Sequence, residues 1–398
     1  MFLKHSWDSI QSGSQTDAIY TDYSSAFTSV NHILLIHKLK TSFNVTGRAL
    51  SWIESYLTDR RQRVVLDGVC SDWTPVRSGV PEGSVCGPLL FICFTADLPS
   101  LIQTECIMYA DDIKLYHRIT SQSDTEVLQA DLNRLSTWSA AWRLQLNPSK
   151  CHVISFSLRK SPILATYMLD GTALQRRSET RDLGVILDSK LTFATHTDVT
   201  IAKANRMLGL IIRSMQLSRQ HHRANLHHKT MLCTYYAHVR SILEFGCVVW
   251  AGAAVSHLKR LERVQHKFLM WLARYSDKRT DNLDYSFLLL HFNVRSMKSR
   301  FVQYDLMFLY HIHHARLDSA VLLGAFGLSV PGRATRNHVL WHVPRARVNT
   351  VQRSLFARVP STCNSFLHRD SAVDIFTCTS YSFKTHVISF SATQGIFM

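Results

Sequence analysis

Two adjacent acidic residues, Asp111 and Asp112, stand between the short apolar segments Cys106–Tyr109 and Ile113–Tyr116. Short apolar arms around a polar pair predict a β-hairpin with the acids at its tip. An ordinary acidic turn has the same local pattern, so the pair alone does not define a site. Carboxylate oxygens are nevertheless the ligands that Mg²⁺ prefers in proteins.

A third acid, Asp22, follows the predicted strand Ala18–Tyr20 and leads into a helical segment. In that position Asp22 can lie beside the hairpin tip. Three carboxylates from one hairpin and a neighbouring strand suit two Mg²⁺ ions. One metal lowers the pKa of an attacking hydroxyl, and both neutralise charge that grows on a phosphoryl group. The three acids together therefore favour phosphoryl-transfer chemistry.

A loop at Ser78–Pro88 concentrates three glycines and two prolines before the apolar helix predicted at Leu89–Phe94. Glycines at a helix entry let backbone amides approach a phosphate. A plain glycine and proline turn is an equally good interpretation of this segment alone.

The elements around these residues indicate mixed α and β structure up to about residue 195. Apolar segments predict strands at Ala18–Tyr20, Arg63–Leu66, Cys106–Tyr109, His152–Phe156 and Leu183–Leu187. Apolar residues at helical spacing predict a helix over Ser123–Trp142 with Val127, Leu128, Leu132, Leu135, Trp138 and Trp142 on one face. Two further amphipathic helices follow, over 202–215 and 258–272. From about residue 325 the composition predicts a loosely packed or partner-dependent tail.

Charge is distributed unevenly along the 398 residues, whose formal net charge is +16. Residues 1–200 hold 19 basic and 20 acidic side chains, whereas residues 201–398 hold 26 basic and 9 acidic ones. Such an excess in the second half favours a polyanionic partner such as nucleic acid.

Nine cysteines without a C-x-x-C pair argue for reduced thiols and against a disulfide frame or a zinc knuckle. The N-terminus lacks the apolar run of a signal peptide. The most apolar stretch, Met231–Val255, contains His238, Arg240 and Glu244, which predicts a buried amphipathic helix and no membrane span. We expect an intracellular protein, nuclear or cytoplasmic, that has no membrane partner.

The three segments, in this order, resemble the palm motifs of reverse transcriptases, in particular those of non-LTR (LINE-type, jockey- or CR1-like) retrotransposons. The Asp22 segment resembles the first motif, Gly79–Pro88 the second and Tyr109–Asp112 the third. Further segments resemble the connecting segment, the fourth palm motif and the primer grip of these elements: Ser51–Arg63, Leu146–Cys151 and Leu183–Asp188.

The resemblance implies an α+β fold and an RNA-directed DNA polymerase. A palm, an antiparallel sheet with helices, and partial fingers are expected over 1–195. A helical, basic thumb-like domain is expected over 196–290, and a basic, partly irregular C-terminal region over 291–398. The implied partners are an RNA template, a DNA primer and dNTPs, and the implied cofactor is Mg²⁺ (two ions), with Mn²⁺ as a substitute.

The resemblance also implies roles for single residues. Asp22, Asp111 and Asp112, with the backbone carbonyl of Tyr23, would hold the metals, and Phe27 would exclude a ribose 2′-OH. Lys150 would approach the leaving pyrophosphate, although a solvated lysine after a turn is an equally good interpretation.

The second motif is expected at the incoming nucleotide. Gly83 and Ser84 would shape the floor beneath it, and Glu82 would lie near its triphosphate. The family usually has Gln at the position of Glu82, and an acid there adds repulsion unless it is protonated or paired. Leu183 and Gly184 would help to hold the primer end.

Only 21 residues precede Asp22, too few for the family's complete fingers or for its endonuclease, so we expect an N-terminally truncated polymerase with impaired or absent activity. A non-catalytic nucleic-acid-binding remnant is the alternative. An RNA-directed RNA polymerase is disfavoured by Phe27 and by Ala110.

Overall fold

The computed structural model of the chain describes residues 1–222, 228–276, 284–317, 319–329, 339–370 and 373–393, without the side chains of 217–222 and of Ser276. Residues 330–338, part of the predicted irregular tail, lie outside this description. The chain divides into two units: Phe2 with Lys4–Ser178, and Glu179–Met398 with Met1 and Leu3. Both helices and strands occur, so the α+β prediction is confirmed.

The first unit contains eleven strands and six α-helices among the described residues. The strands are β1 (Gln15–Thr21), β2 (Arg61–Gln62), β3 (Val65–Leu66), β4 (Val69–Cys70), β5 (Thr74–Pro75), β6 (Glu105–Tyr109), β7 (Asp112–Ile119), β8 (His152–Phe156), β9 (Met168–Leu169), β10 (Thr172–Ala173) and β11 (Gln175–Arg177). The helices are α1 (Phe2–Gln11), α2 (Ala26–Ser29), α3 (His32–Ser42), α4 (Gly47–Leu57), α5 (Cys86–Thr95) and α6 (Gln122–Ala141), with a 3₁₀ turn at Leu98–Leu101.

A five-stranded sheet in the order β11-β8-β1-β7-β6 forms the centre of this unit. Strand β1 pairs antiparallel with both β7 and β8, and Ala18 and Ile19 within it are fully buried. Helix α6 contributes Leu128 and Leu132 to the same apolar core. Its predicted apolar face is confirmed except at Val127, which is 39% exposed.

One predicted strand of this unit is wrong in its extent. The segment Arg63–Leu66 was expected to be continuous, but β2 ends at Gln62 and β3 begins at Val65. The two strands pair with different partners, β5 and β4, and their side chains are exposed. Because the side chains of β2 and β3 are exposed, the alternation of apolar and polar residues in this segment predicts the strand register only weakly.

The part of the second unit that the structure describes contains one β-hairpin and many helices. The strands are β12 (Glu179–Asp182) and β13 (Val185–Asp188), and the helices are α7 (Ala194–His222), α8 (His228–Tyr235), α9 (Ser241–Glu244), α10 (Cys247–Trp250), α11 (Val255–Ser276), α12 (Tyr285–His291), α13 (Met297–His313), α14 (Ala320–Ala325), α15 (Asn349–Gln352), α16 (Leu355–Arg369) and α17 (Ser380–Ala392). A π-helical turn at Tyr236–Arg240 joins α8 to α9. None of the described helices is long and apolar enough to cross a membrane.

The single helix expected over Met231–Val255 is wrong. Helix α9 ends at Glu244, and Gly246 has a left-handed φ of +61° before α10 begins. A Cβ atom at Gly246 would lie 3.2 Å from Cγ2 of Val185, so a larger residue would fit poorly at this turn. The apolar composition therefore reflects several short buried helices.

The tail after residue 325 was expected to be loosely packed or partner-dependent, and loose packing is wrong for the described residues 349–370 and 373–393. Helices α16 and α17 pack there, and Phe366, Phe383 and Val387 are fully buried. Helix α17 contacts α13, which supplies the apolar surface that the tail composition does not reveal.

Candidate active site

The register of the central sheet places the three candidate acids at one edge. Thr21, the last residue of β1, pairs with Ile113, so Asp22 follows the end of β1 beside the strand end at which β7 begins with Asp112. Tyr109 pairs with Asp112 across β6 and β7, which leaves Ala110 and Asp111 as a two-residue turn. The predicted hairpin is therefore confirmed, with its acids at the tip.

The turn bends sharply at Ala110, whose φ of +54° lies in the left-handed region. Such a backbone costs about 1–2 kcal/mol for a residue with a Cβ atom. This strain sits directly beside Asp111.

Lys150 lies at the same sheet edge, with Nζ 3.6 Å from Oδ2 of Asp22. Asn147 explains this position, because its backbone N–H donates to the carbonyl of Asp22 at 2.9 Å. The carbonyl of Asn147 then accepts from the N–H of Lys150 at 3.0 Å, and its Oδ1 accepts from the N–H of Ser149 at 3.2 Å. The resulting turn directs the lysine to the end of β1.

The backbone behind Asp22 is closed by Cys151 and Tyr23. The N–H of Asp22 donates to Sγ of Cys151 at 3.4 Å, and Tyr23 forms an antiparallel bridge with Leu146. Burial raises the pKa of the Cys151 thiol and of the Tyr23 hydroxyl above their ordinary values. Both side chains are therefore neutral and contribute to packing. The metal-binding role expected of Tyr23 concerns its backbone carbonyl alone.

The glycine-rich loop is docked on the segment after Asp22. The N–H of Gly79 donates to the carbonyl of Val30, and the N–H of Val80 donates to that of Phe27, both at 2.8 Å. A Cβ atom on Gly79 would lie 2.7 Å from Cα of Thr28, and Gly79 has a φ of +89°. Only glycine fits this close backbone approach, so the loop is more than a plain turn.

Phe27 stacks on Phe91 of α5, with ring centroids 4.6 Å apart. This contact fixes the orientation of the ring for which the resemblance implies sugar discrimination.

Gly83 and Ser84 lie at the entry to α5. The Ser84 hydroxyl donates to the carbonyl of Pro81 at 2.7 Å and accepts from the N–H of Gly87 at 3.0 Å, which orders the first turn of the helix. Gly83 has a φ of +73° with open space around its Cα, and Glu82 beside it is exposed.

The donor set at the sheet edge agrees in part with the expected metal. Three carboxylates on neighbouring strand ends are of the right chemistry for Mg²⁺. Within the described residues, however, the side chains of no three His, Cys, Asp or Glu residues gather into a metal-binding group. Asp22 is directed towards Lys150 instead. The acids therefore share an edge without forming a preassembled cage.

Two residues with a positioning role were missed from the sequence. His32 is 9% exposed, and its Nε2 lies 2.8 Å from the carbonyl of Gly79. Asn147 joins Lys150 to Asp22, as described above. The Asn-Pro pair at 147–148 signals a turn, but a lone histidine in a helix gives no sequence signal of its partner.

The primer-grip candidates Leu183 and Gly184 lie in the second unit. The strand predicted at Leu183–Leu187 begins only at Val185, because Leu183 and Gly184 both have positive φ and form the turn between β12 and β13. Leu183 is 56% exposed, while a Cβ atom on Gly184 would lie 2.8 Å from the ring of Phe245. The ring of Phe245 thus packs closely against one side of the turn between β12 and β13.

Comparison with known proteins agrees with these motifs. Residues 6–206 match the family described as reverse transcriptase (RNA-dependent DNA polymerase). The chain belongs to the reverse transcriptase family. The match includes every acid of the sheet edge as well as the glycine-rich loop and the β12–β13 turn.

Relatives of this chain come from mobile elements. The chain is 32% identical over 283 residues to a probable RNA-directed DNA polymerase from transposon BS of Drosophila melanogaster, covering 66% of the chain and 30% of the relative. It is 30% identical over 263 residues to the RNA-directed DNA polymerase from mobile element jockey of the same organism, covering 63% and 27%. The expected likeness to jockey-type retrotransposons is confirmed, and the chain spans less than a third of the length of these relatives.

A solved structure of telomerase from Candida albicans with a fragment of telomeric RNA is 12% identical, with a TM-score of 0.39. The match covers 71% of this chain and 52% of the telomerase chain.

Proposed function

We propose that this chain is the polymerase part of a non-LTR retrotransposon reverse transcriptase, which extends a primer 3′-OH with dNTPs along an RNA template. Three observations support the proposal: membership of the family, the docked glycine-rich loop, and the strand register. The register carries most weight, because it brings the end of β1, which Asp22 follows, beside the start of β7 at Asp112, with Asp111 in the adjoining turn.

In this proposal Asp22, Asp111, Asp112 and the Tyr23 carbonyl hold two Mg²⁺ ions, or Mn²⁺ in their place. Bound metal of this kind lowers the pKa of an attacking hydroxyl and offsets phosphoryl charge. Lys150 presents a cation beside Asp22 and can donate a proton to the leaving pyrophosphate.

The nucleotide pocket is assigned to Phe27 and the loop that docks on it. Phe27, held by Phe91, would occupy the space of a ribose 2′-OH and so select deoxynucleotides. Gly83 and Ser84 would form the floor, and the exposed Glu82 would lie towards the triphosphate.

We extend the proposal to the domains expected from the sequence. Residues 1–195 act as palm with partial fingers, 196–290 as a thumb and 291–398 as a basic C-terminal region. The basic face of α11 supports a role in binding a template–primer duplex: Leu258, Leu261 and Phe268 are buried while Arg263 and Lys267 are exposed.

The test is primer extension by the purified chain on a primed RNA template with dNTPs and Mg²⁺ or Mn²⁺. In line with the impaired activity expected from the sequence, we expect at most weak extension, and any extension should disappear in Asp111→Asn. Thermal unfolding of the variant checks that the fold is intact.

A non-catalytic nucleic-acid-binding protein is the second candidate. Two observations favour it: Asp22 is directed to Lys150, and an acid stands at position 82. Salt-sensitive binding of the template–primer without any extension supports this candidate and contradicts the first.

A further inference from the structure

The helix that carries Phe27 is too short to hold its own shape. Helix α2 has four residues, and its N-cap residue Ser25 makes no side-chain hydrogen bond to the helix. A single helical turn is unstable in water, because its few hydrogen bonds do not offset the cost of fixing the backbone. The position of Phe27 therefore depends on contacts with other parts of the chain.

The glycine-rich loop supplies such contacts to the backbone of this segment. We call three of them the loop hydrogen bonds: the N–H of Val80 to the carbonyl of Phe27 and the N–H of Gly79 to that of Val30, both at 2.8 Å, and the hydroxyl of Ser78 to the carbonyl of Thr28 at 2.9 Å. The ring of Phe27 stacks separately on Phe91. A displacement of the loop would therefore move the backbone of Phe27 with it.

His32 attaches the same loop to a longer helix. Its Nε2 lies 2.8 Å from the carbonyl oxygen of Gly79, and the residue is 9% exposed. A carbonyl oxygen can only accept, so Nε2 carries the proton and donates. Helix α3, to which His32 belongs, has eleven residues, and Oδ1 of Asn31 caps it by accepting from the N–H of Leu34 at 3.1 Å. His32 thus projects from a capped helix that α2 cannot match in length.

Gly79 is held through both of its backbone groups. Its N–H donates to Val30 and its carbonyl accepts from His32, while the residue itself is buried. Loss of the imidazole donor would leave the Gly79 carbonyl without this partner in a buried position, which is unfavourable. The loop would then shift to satisfy that carbonyl, and the loop hydrogen bonds would shift with it.

We infer that His32 is a positioning residue for sugar selection. It holds the Gly79 carbonyl, the loop hydrogen bonds hold the backbone of Phe27, and Phe27 then lies where a ribose 2′-OH would need space. The inference rests on the proposed function, which assigns Phe27 to the nucleotide pocket. Displacements of about 1 Å at a substrate site have large effects on an enzyme. His32 therefore acts through the loop, without touching the nucleotide.

Nucleotide binding to a stalled complex tests the inference without requiring catalysis. The full chain is combined with an RNA template, a dideoxy-terminated DNA primer and Mg²⁺, and the Kd values of the complementary dNTP and rNTP are measured. We expect the wild type to bind the dNTP more tightly. His32→Leu has no donor and should lower this preference about fivefold, the equivalent of one hydrogen bond.

Two further variants separate positioning from a general loss of structure. His32→Gln carries an amide N–H that can donate to the Gly79 carbonyl, and it should restore most of the preference. His37→Leu makes the same substitution as His32→Leu at an exposed position of α3, and its preference should equal that of the wild type. A merely structural defect would weaken dNTP and rNTP binding together and leave their ratio unchanged.

Hydrogen exchange provides a second measurement, on the loop itself. The amides of Gly79 and Val80 donate two of the loop hydrogen bonds, and both should exchange faster in His32→Leu than in the wild type. Ser78→Ala removes the third of these bonds at an exposed position. It should shift the sugar preference in the same direction, and it replaces His32→Leu if that variant does not fold.

The outcomes distinguish this inference from the proposed function. A wild-type preference for the dNTP that stays unchanged in His32→Leu, or in Ser78→Ala where His32→Leu does not fold, overturns the inference while the proposed function stands. Unchanged exchange of the Gly79 and Val80 amides in His32→Leu also overturns it. If the wild type binds neither nucleotide, or binds both equally, the assignment of Phe27 fails and the inference fails with it.

Discussion

Nζ of Lys150 and Oδ2 of Asp22 are 3.6 Å apart, and the two side chains retain 54% and 41% of their exposure. Ion pairs at such exposure contribute about 0–1 kcal/mol to stability. The contact therefore places a positive charge at the sheet edge but contributes little to the free energy of folding.

Lys150→Ala should consequently change the free energy of unfolding by less than about 1 kcal/mol. Primer extension should fall about 100-fold, because a proton donor and a cation are removed together. Lys150→Arg keeps the charge and should retain more extension than Lys150→Ala. Lys160→Ala, at another exposed lysine, serves as control. Full extension by Lys150→Ala would show that this lysine is merely solvated.

Gly79→Ala should destabilise the first unit by more than about 2 kcal/mol. The new Cβ atom would lie 2.7 Å from Cα and 2.8 Å from the carbonyl oxygen of Thr28, and backbone cannot move aside as a flexible side chain can. Urea unfolding measures the change.

Gly83→Ala is the matched comparison. Gly83 shares the positive φ but has no atom within 4 Å of the added carbon, so only the conformational cost of about 1 kcal/mol applies. Equal destabilisation by the two variants would contradict the close docking of the loop.

Asp17→Ala should lower the free energy of unfolding by about 3–5 kcal/mol. Asp17 is fully buried and accepts from Ser155 at 2.5 Å, from Gln15 at 2.6 Å and from Tyr167 at 2.8 Å. Its removal leaves the hydroxyls of Ser155 and Tyr167 without this acceptor and Arg176 without the carboxylate 3.6 Å away, while Gln15 keeps the Ile163 carbonyl as acceptor.

Asp8→Ala provides the control for Asp17. Asp8 is half exposed and pairs with Lys4 on the helix surface, so its loss should cost less than about 1 kcal/mol. A similar cost for both variants would mean that the buried network can rearrange.

The pH dependence of stability should contain a contribution from His196. Burial lowers its pKa from 6.5 in the unfolded chain to about 4 in the folded chain. Between these values the unfolded chain binds a proton that the folded chain does not, so the free energy of unfolding decreases as the pH falls.

His196→Asn should remove this contribution. Between pH 7.5 and pH 4.5 the wild type should lose about 2–3 kcal/mol more stability than the variant. Chemical unfolding at a series of pH values measures the difference, and parallel profiles would show that His196 does not titrate in this way.

The sequence predicts the acidic edge well because its signals are local. Strand β8 has the predicted bounds His152–Phe156, and the hairpin around Asp111 follows from two apolar arms and a two-residue turn. Helix α6 is likewise predicted, since burial of one face imposes a periodic pattern over 20 residues.

The failures occur where partners are distant along the chain. The break at Gly246 depends on Val185, and the packing of α17 depends on α13, so neither is encoded in a local pattern. The same reason explains why His32, which contacts Gly79, was missed. Whether Asp22, Asp111 and Asp112 bind metal stays a prediction.

The difference in exposure among the cysteine thiols determines where this protein can be labelled. The thiol of Cys151 lies behind Asp22. Burial keeps that thiol protonated and unreactive, whereas Cys70 and Cys233 are exposed. One exposed thiol belongs to each unit. Maleimide dyes should therefore attach to both units of the natural sequence, which allows fluorescence energy transfer to follow the distance between them without engineered cysteines.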